Sequence, residues 1–197
     1  MGAALLQEIP LQTRDEFYEY DARTTEKHEY YQGLIYAMAG ASPFHGVLVG
    51  ELTTILNSRL ASTSCFAVPA DQKVRAERDD LDAYPDVVVY CDDAAFDPDH
   101  PHTLLEPLVL IEVLSPSTGR YDRNAKRDAY LKIPSLRDYL VVAQDKVWVE
   151  HDFRADGGAW QRREYGRRDD VIQLESLKIE FPVAEIYRRL NLPEDNS

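Results

Sequence analysis

A chain of 197 residues is long enough for one sizeable hydrophobic core and short for two, so a single domain spanning 1–197 is expected. Apolar residues make up 44%, ordinary for a globular protein, while 35 acids against 22 bases leave a formal charge of -13. That balance excludes a protein that coats nucleic acid through a broad basic face, but it leaves room for a locally basic or metal-filled cleft.

Cys65 and Cys91 lack the paired spacing of a zinc site and are too few for a disulfide scaffold. They are expected as buried free thiols in a reducing cytoplasm. No run approaches the ~18 apolar residues of a membrane span. The first residues have no basic region, and Leu6 stands where a myristoylation signal wants Ser or Thr. A cytoplasmic protein without a membrane partner is the expectation.

Thr13 to Tyr20 predicts a short amphipathic helix, with Thr13 and Glu16 at capping-box spacing. Glu29 to Met38 predicts a hairpin turning at Gln32-Gly33. From Ser42 a stronger helix is expected to about Arg59, with Ser42 as cap and Pro43 in its first position. Its stripe of Phe44, Leu48, Leu52, Ile55, Leu56 and Leu60 should lie on a sheet. Short strands are expected at 65–68 and 72–75, a charged turn at 78–82, and strands at 86–90 and 108–114. The acidic, proline-rich stretch 92–107 between them reads as a surface loop. A turn at 115–119 and a helix over 122–133 follow, stopped by Pro134. Strands at 139–143 and 146–151 flank a turn at Gln144-Asp145. Strands at 159–165, 171–174 and 178–181 and a helix over 183–190 complete the chain. This order predicts an α/β (α+β) layered domain with a mixed sheet flanked by helices. Its core would occupy 42–143, with a strand extension and helix at 144–192.

Two acids sit where packed strands prefer none. Asp86 precedes Val87-Val88-Val89, and Glu112 interrupts Val109-Leu110-Ile111 and Val113-Leu114. Near-continuous apolar runs imply a sheet covered on both faces, where a lone ionised carboxylate costs several kcal/mol unless paired or bound to metal. A shared hard cation, Mg²⁺ or Mn²⁺, would satisfy both. On the following helix, Ala125, Ala129 and Ile133 form the buried line, and Lys126 and Tyr130 lie one step round from it. Lys126 can therefore point toward the strand ends, where it could orient a water or offset phosphate charge. Arg120, Arg123, Lys126, Arg127 and Lys132 make this the most basic short region of the chain, with the right sign for a polyanion.

Bland alternatives stand beside these readings. Asp86 could cap a turn, Glu112 could form a salt bridge to Lys126 or an arginine, and Lys126 could be solvated. His45 is expected in a capping or surface role, and Glu51 and Glu29 are secondary candidates near the acids. His100 and His102 fall in the proline-broken loop. Ser115 and Ser117 lack a nucleophile-elbow pattern and suit a turn and a helix cap.

Pro85-Asp86, Ile111-Glu112-Val113-Leu114-Ser115-Pro116-Ser117-Thr118, Asp122 with Lys126 and Tyr130, and Ile133-Pro134-Ser135-Leu136-Arg137-Asp138-Tyr139 together resemble the Uma-two family of restriction-endonuclease-like proteins, within the PD-(D/E)XK nuclease superfamily. The resemblance runs from Glu29-Tyr30-Tyr31-Gln32-Gly33 to Leu174-Glu175-Ser176-Leu177. It implies a restriction-endonuclease-like core of order αβββαβ, with Asp86, Glu112 and the Val113 carbonyl as metal ligands. It also implies Mg²⁺-dependent hydrolysis of DNA, with Asp86, Glu112 and Lys126 as catalytic residues. The superfamily lysine two residues after the second acid is here Leu114, and Lys126 takes its place from the helix. A catalytically silent nuclease-fold module, binding a partner or assembling, is the alternative. Enzymes that cut both strands of a duplex need two sites, and the strands after Lys146 could supply a homodimer interface.

Overall fold

The computed structural model describes residues 13–38, 42–114 and 126–194. Helix α1 (Arg14–Asp21) begins at Thr13, whose side chain accepts from the Glu16 amide while the Glu16 carboxylate takes the Thr13 amide at 2.7 Å, the expected capping box. Strands β1 (His28–Tyr31) and β2 (Leu34–Ala37) form the expected hairpin. Gln32 and Gly33 both take positive φ, 49° and 85°, the turn geometry that matches strand twist and that glycine adopts at little cost.

Helix α2 (Pro43–Leu60) starts where Ser42 accepts the His45 amide at 3.1 Å. Leu48, Leu52, Ile55, Leu56 and Leu60 are buried as their spacing predicts, whereas Phe44, in the first turn of the helix, is half exposed. Strands β3 (Cys65–Pro69) and β4 (Lys73–Ala76) follow, then a 3-10 turn over Glu77–Asp79. The charged stretch predicted as a turn ends in a further strand, β5 (Leu81–Ala83), after which β6 (Val87–Cys91) begins. The proline-rich loop carries a two-residue strand, β7 (Thr103–Leu104), ahead of β8 (Val109–Leu114).

The turn expected at 115–119 and the start of the helix expected at 122–133 lie outside the described residues. Helix α3 (Arg127–Tyr130) is its described part. Strands β9 (Asp138–Ala143), β10 (Val149–Arg154), β11 (Trp160–Tyr165), β12 (Val171–Leu174) and β13 (Ile179–Pro182) precede α4 (Val183–Ile186), which is shorter than expected. Among the described residues, no helix is long and apolar enough to cross a membrane.

The six-stranded sheet runs β11-β10-β9-β8-β6-β3, with β8 and β9 parallel and the other pairs antiparallel. Its sequence α2-β3-β6-β8-α3-β9 is the expected αβββαβ order. Alternation divides the buried strands between two cores. Val87, Val89, Val109, Ile111, Leu140 and Val142 face α2 and the β12–β13 hairpin. Val88, Leu110, Tyr139 and Val141 face Ala129, Tyr130 and Ile133, together with Val74, Leu81 and Leu104. The second face is therefore covered largely by a five-stranded sheet of order β2-β1-β5-β4-β7, rather than by a helix layer as expected. That second sheet carries Glu29 toward the first.

The edge strand β3 is clamped by Asn57 of α2, whose side chain accepts the Ala67 amide at 2.8 Å and donates to the Ala67 carbonyl at 2.9 Å. Cys65 and Cys91, expected as free thiols, are directly opposed in the β3–β6 register and form a disulfide. Two cysteines can pair without belonging to a disulfide scaffold, because strand register alone brings them together.

Candidate functional site

Segments distant in sequence meet at one end of the β6–β8 pair. Asp86 stands one residue before β6, and the ladder pairs Val87 with Ile111, so the next step places Asp86 beside Glu112. The Asp86 carboxylate is fixed from two directions. One oxygen accepts the Val113 amide at 2.7 Å, and the other lies 3.0 Å from His45 Nε2 in the first turn of α2. Its own carbonyl accepts the Ala70 amide at 2.8 Å, which ties the β3–β4 connection to the same place.

Glu112 projects from β8 onto the face that packs against α3. Its Oε1 lies 3.5 Å from Lys126 Nζ and 3.3 Å from the Tyr130 hydroxyl. Lys126 also reaches Glu29 of β1 at 2.7 Å, and the same Glu29 oxygen accepts the Tyr84 amide at 3.1 Å. Lys126, Glu112 and Glu29 are 5%, 3% and 6% exposed, so these charges interact with little screening. Burial and the Glu112 charge push the Tyr130 phenol well above its ordinary pKa. Tyr130 therefore remains a hydroxyl and donates to Glu112.

The structure thus brings Asp86, Glu112 and Lys126 to one place, where Val113 meets Asp86 through its amide. Glu29, a secondary candidate from sequence, is an inner member of the cluster. His45, expected in a capping or surface role, touches Asp86 directly. The one sequence signal for it was the Ser42-Pro43 helix start, which puts His45 on the first turn. Glu51 makes no recorded contact with these residues; it is buried on α2 and pairs with Arg188 and Arg189. His100 stacks on Tyr18 with ring centroids 3.5 Å apart, an ordinary packing role.

Asp86 and Glu112 are the oxygen donors that could hold a hard cation. Among the described residues, no group of three or more His, Cys, Asp or Glu side chains is arranged to hold a metal ion. The two carboxylates nevertheless fit Mg²⁺ in kind and number, since that ion characteristically uses one or two carboxylates and keeps several waters.

The sequence model of the Uma2 family, described as "Putative restriction endonuclease", matches residues 14–184. The chain belongs to the Uma2 family. Among its relatives, the "Uncharacterized protein slr1290" of Synechocystis sp. is 35% identical over 182 residues, covering 92% of this chain and 94% of that protein. The "Uncharacterized protein sll1609" of the same organism is 29% identical over 167 residues, covering 85% and 94%. In three dimensions the chain is similar to a crystal structure titled as a "putative nuclease belonging to DUF820" from Anabaena variabilis. The TM-score is 0.74, with 17% identity, 90% of this chain and 98% of that chain covered. At that identity the likeness establishes the fold. The mixed sheets and few helices of this Uma2 member are those of a nuclease-like fold.

Proposed function

We propose that this Uma2 protein is a Mg²⁺-dependent endonuclease hydrolysing DNA phosphodiester bonds, with Asp86, Glu112 and Lys126 as its catalytic residues. The observation that carries this reading is the convergence of Lys126 on Glu112, with Asp86 held on the adjoining Val113 amide. Family membership supports the reaction class.

Asp86 and Glu112 would hold the cation, with the Val113 carbonyl as a main-chain ligand. Bound there, the ion would supply an acidified water and neutralise charge on the attacked phosphate. The chain's own residues act around that centre. His45 and the Val113 amide orient the Asp86 carboxylate. Glu29 fixes the Lys126 ammonium, and Tyr130 holds Glu112 from the core side. Lys126 would face the scissile phosphate, donating to the developing negative oxygen and orienting the attacking water. Its approach from a helix, rather than from the Leu114 position on β8, leaves the charge on the same face as Glu112.

The test is cleavage of a DNA duplex with Mg²⁺ by wild type, Asp86→Ala and Lys126→Met. Loss of about 10²- to 10⁴-fold in each variant is expected. Equal cleavage by wild type and Asp86→Ala would sink the assignment.

One observation favours a silent nuclease-fold module as a second reading. Lys126 is shared between two buried carboxylates, as in a structural ion triad. Titration calorimetry separates the two, because the enzyme requires Mg²⁺ or Mn²⁺ binding that Glu112→Gln abolishes, and a silent module does not.

A further inference from the structure

Gln144 follows β9 directly, and β9 runs parallel to β8 with Ala143 opposite Leu114. Asp86 precedes β6, which runs antiparallel to β8. Gln144 therefore stands at the same end of the sheet as Asp86 and the carboxyl end of β8. It is 7% exposed, a depth at which both ends of a carboxamide need partners. Its oxygen accepts the hydroxyl of Ser42, 102 positions earlier in the chain, whereas its Nε2 is buried with no hydrogen-bond partner among the described residues. A buried donor left unpaired costs free energy, so an apolar side chain of the same size would fill this position at lower cost. What Gln144 supplies is the acceptor, and what the acceptor holds is Ser42.

Ser42 is committed on its other side to the candidate site. Its Oγ accepts the His45 amide at 3.1 Å as the cap of α2, and His45 Nε2 lies 3.0 Å from Asp86. The hydroxyl gives its proton to Gln144 and a lone pair to the His45 amide, so a chain of contacts runs Gln144–Ser42–His45–Asp86. Packing does little to fix the first turn of α2. The first buried residue of the helix is Leu48. Before it, Phe44 is half exposed, and no neighbouring element comes within 4 Å of where a Cβ on Gly46 would stand. From Leu48 onward, by contrast, Leu52, Ile55, Leu56 and Leu60 seat the helix in the core. Side-chain contacts, rather than core packing, therefore set where the first turn puts His45.

We propose that Gln144 is a positioning residue for the metal site: through Ser42 it fixes the first turn of α2, and so holds His45 against Asp86 with the carboxylate turned for the cation. Gln144 itself is assigned no contact with cation or DNA. The role rests on Asp86 being a ligand of Mg²⁺.

The experiment measures Mn²⁺ affinity by titration calorimetry, cleavage of a DNA duplex with Mg²⁺, and thermal melting. It uses the whole chain as wild type, Gln144→Met, Ser42→Gly, Ser42→Thr, His45→Gln and the double variant of Gln144→Met with His45→Gln. Methionine keeps the volume of Gln144 without its oxygen, and glycine keeps most of the capping at Ser42 without its hydroxyl. Gln144→Met and Ser42→Gly should each bind Mn²⁺ about tenfold more weakly and lower kcat about tenfold, the low end for a group that orients a metal ligand. KM for DNA and the melting temperature should change little, and Ser42→Thr should keep the affinity that Ser42→Gly loses. The double variant should lose no more than His45→Gln alone, because both substitutions break the same chain of contacts.

Losses that multiply in the double variant, or a Mn²⁺ affinity unchanged in both Gln144→Met and Ser42→Gly, would overturn the proposal. Ser42 is exposed, so Ser42→Gly keeps the test valid even where Gln144→Met fails to fold. A wild type that binds Mn²⁺ yet cleaves no DNA contradicts the nuclease reading alone, and the Mn²⁺ affinities still decide the role of Gln144. A wild type that binds no Mn²⁺ would overturn both.

Discussion

The Lys126 ammonium, at the start of α3, lies 2.7 Å from the carboxylate of Glu29, a residue 97 positions earlier in the chain and on the five-stranded sheet. Through its second contact with Glu112, Lys126 couples the two sheets at the candidate site, and all three partners are almost fully buried. Removing the cation leaves Glu29 and Glu112 without it. Lys126→Met should therefore lower stability by about 3 kcal/mol, read from urea unfolding. Glu29→Gln keeps an acceptor for the Tyr84 amide and should cost less. A Lys126→Met variant as stable as wild type would show that the triad contributes nothing to folding.

His45 acts on Asp86 from outside the set of metal donors. In His45→Gln, the carboxylate loses one of its two orienting contacts, and duplex cleavage should fall by about 10- to 100-fold, the usual effect of removing a group that orients a ligand. The melting temperature should change little, because His45 is partly exposed in the first turn of α2. An unchanged cleavage rate would remove His45 from the site.

Leu114 is two residues after Glu112 on the same strand, so its side chain leaves the sheet on the same face. A lysine at that point would approach the site from the strand. In the Lys126→Met background, Leu114→Lys should recover part of the lost cleavage, at least tenfold above Lys126→Met alone. Failure to recover any activity while the fold is kept would mean that the helix position is required.

Much of the site was legible in sequence because buried strands declare their exceptions. Glu112 interrupts an apolar run, and nothing but a partner or a ligand explains an acid there. Lys126 followed from helical spacing, although its partner Glu29 could not, since no local pattern reports which hairpin will pack above α3. His45 was hidden for the same reason, as its contact with Asp86 depends on where α2 crosses the sheet. The second sheet was largely missed because β5 has three residues and β7 two, too few for alternation to show, and β7 lies in a stretch dominated by proline and aspartate. The Cys65–Cys91 bond likewise depends on the β3–β6 register, which only the assembled sheet reveals.

Asp152 tests the electrostatics of the strands added beyond β9. Burial acts to raise its pKa, but Arg127 at 2.6 Å and Arg162 at 3.0 Å outweigh that effect and hold it below the usual carboxylate value. A folded-state pKa below the unfolded one contributes stability that is present above the unfolded value and lost as pH falls through the folded value. Asp152→Asn should cost about 2 kcal/mol at neutral pH, after allowing for solvent at Arg162. The gap to wild type should close as pH drops below about 4. A gap that stays constant with pH would contradict the ion-pair account.

The most direct test of the central claim is a crystal structure grown with Mn²⁺, read by its anomalous scattering. The account predicts a peak bound by the carboxylates of Asp86 and Glu112, with Lys126 Nζ beside it, and no such peak in Glu112→Gln. Crystals of wild type soaked in Mn²⁺ with no anomalous density at these residues, and with Lys126 still seated between Glu29 and Glu112, would contradict it.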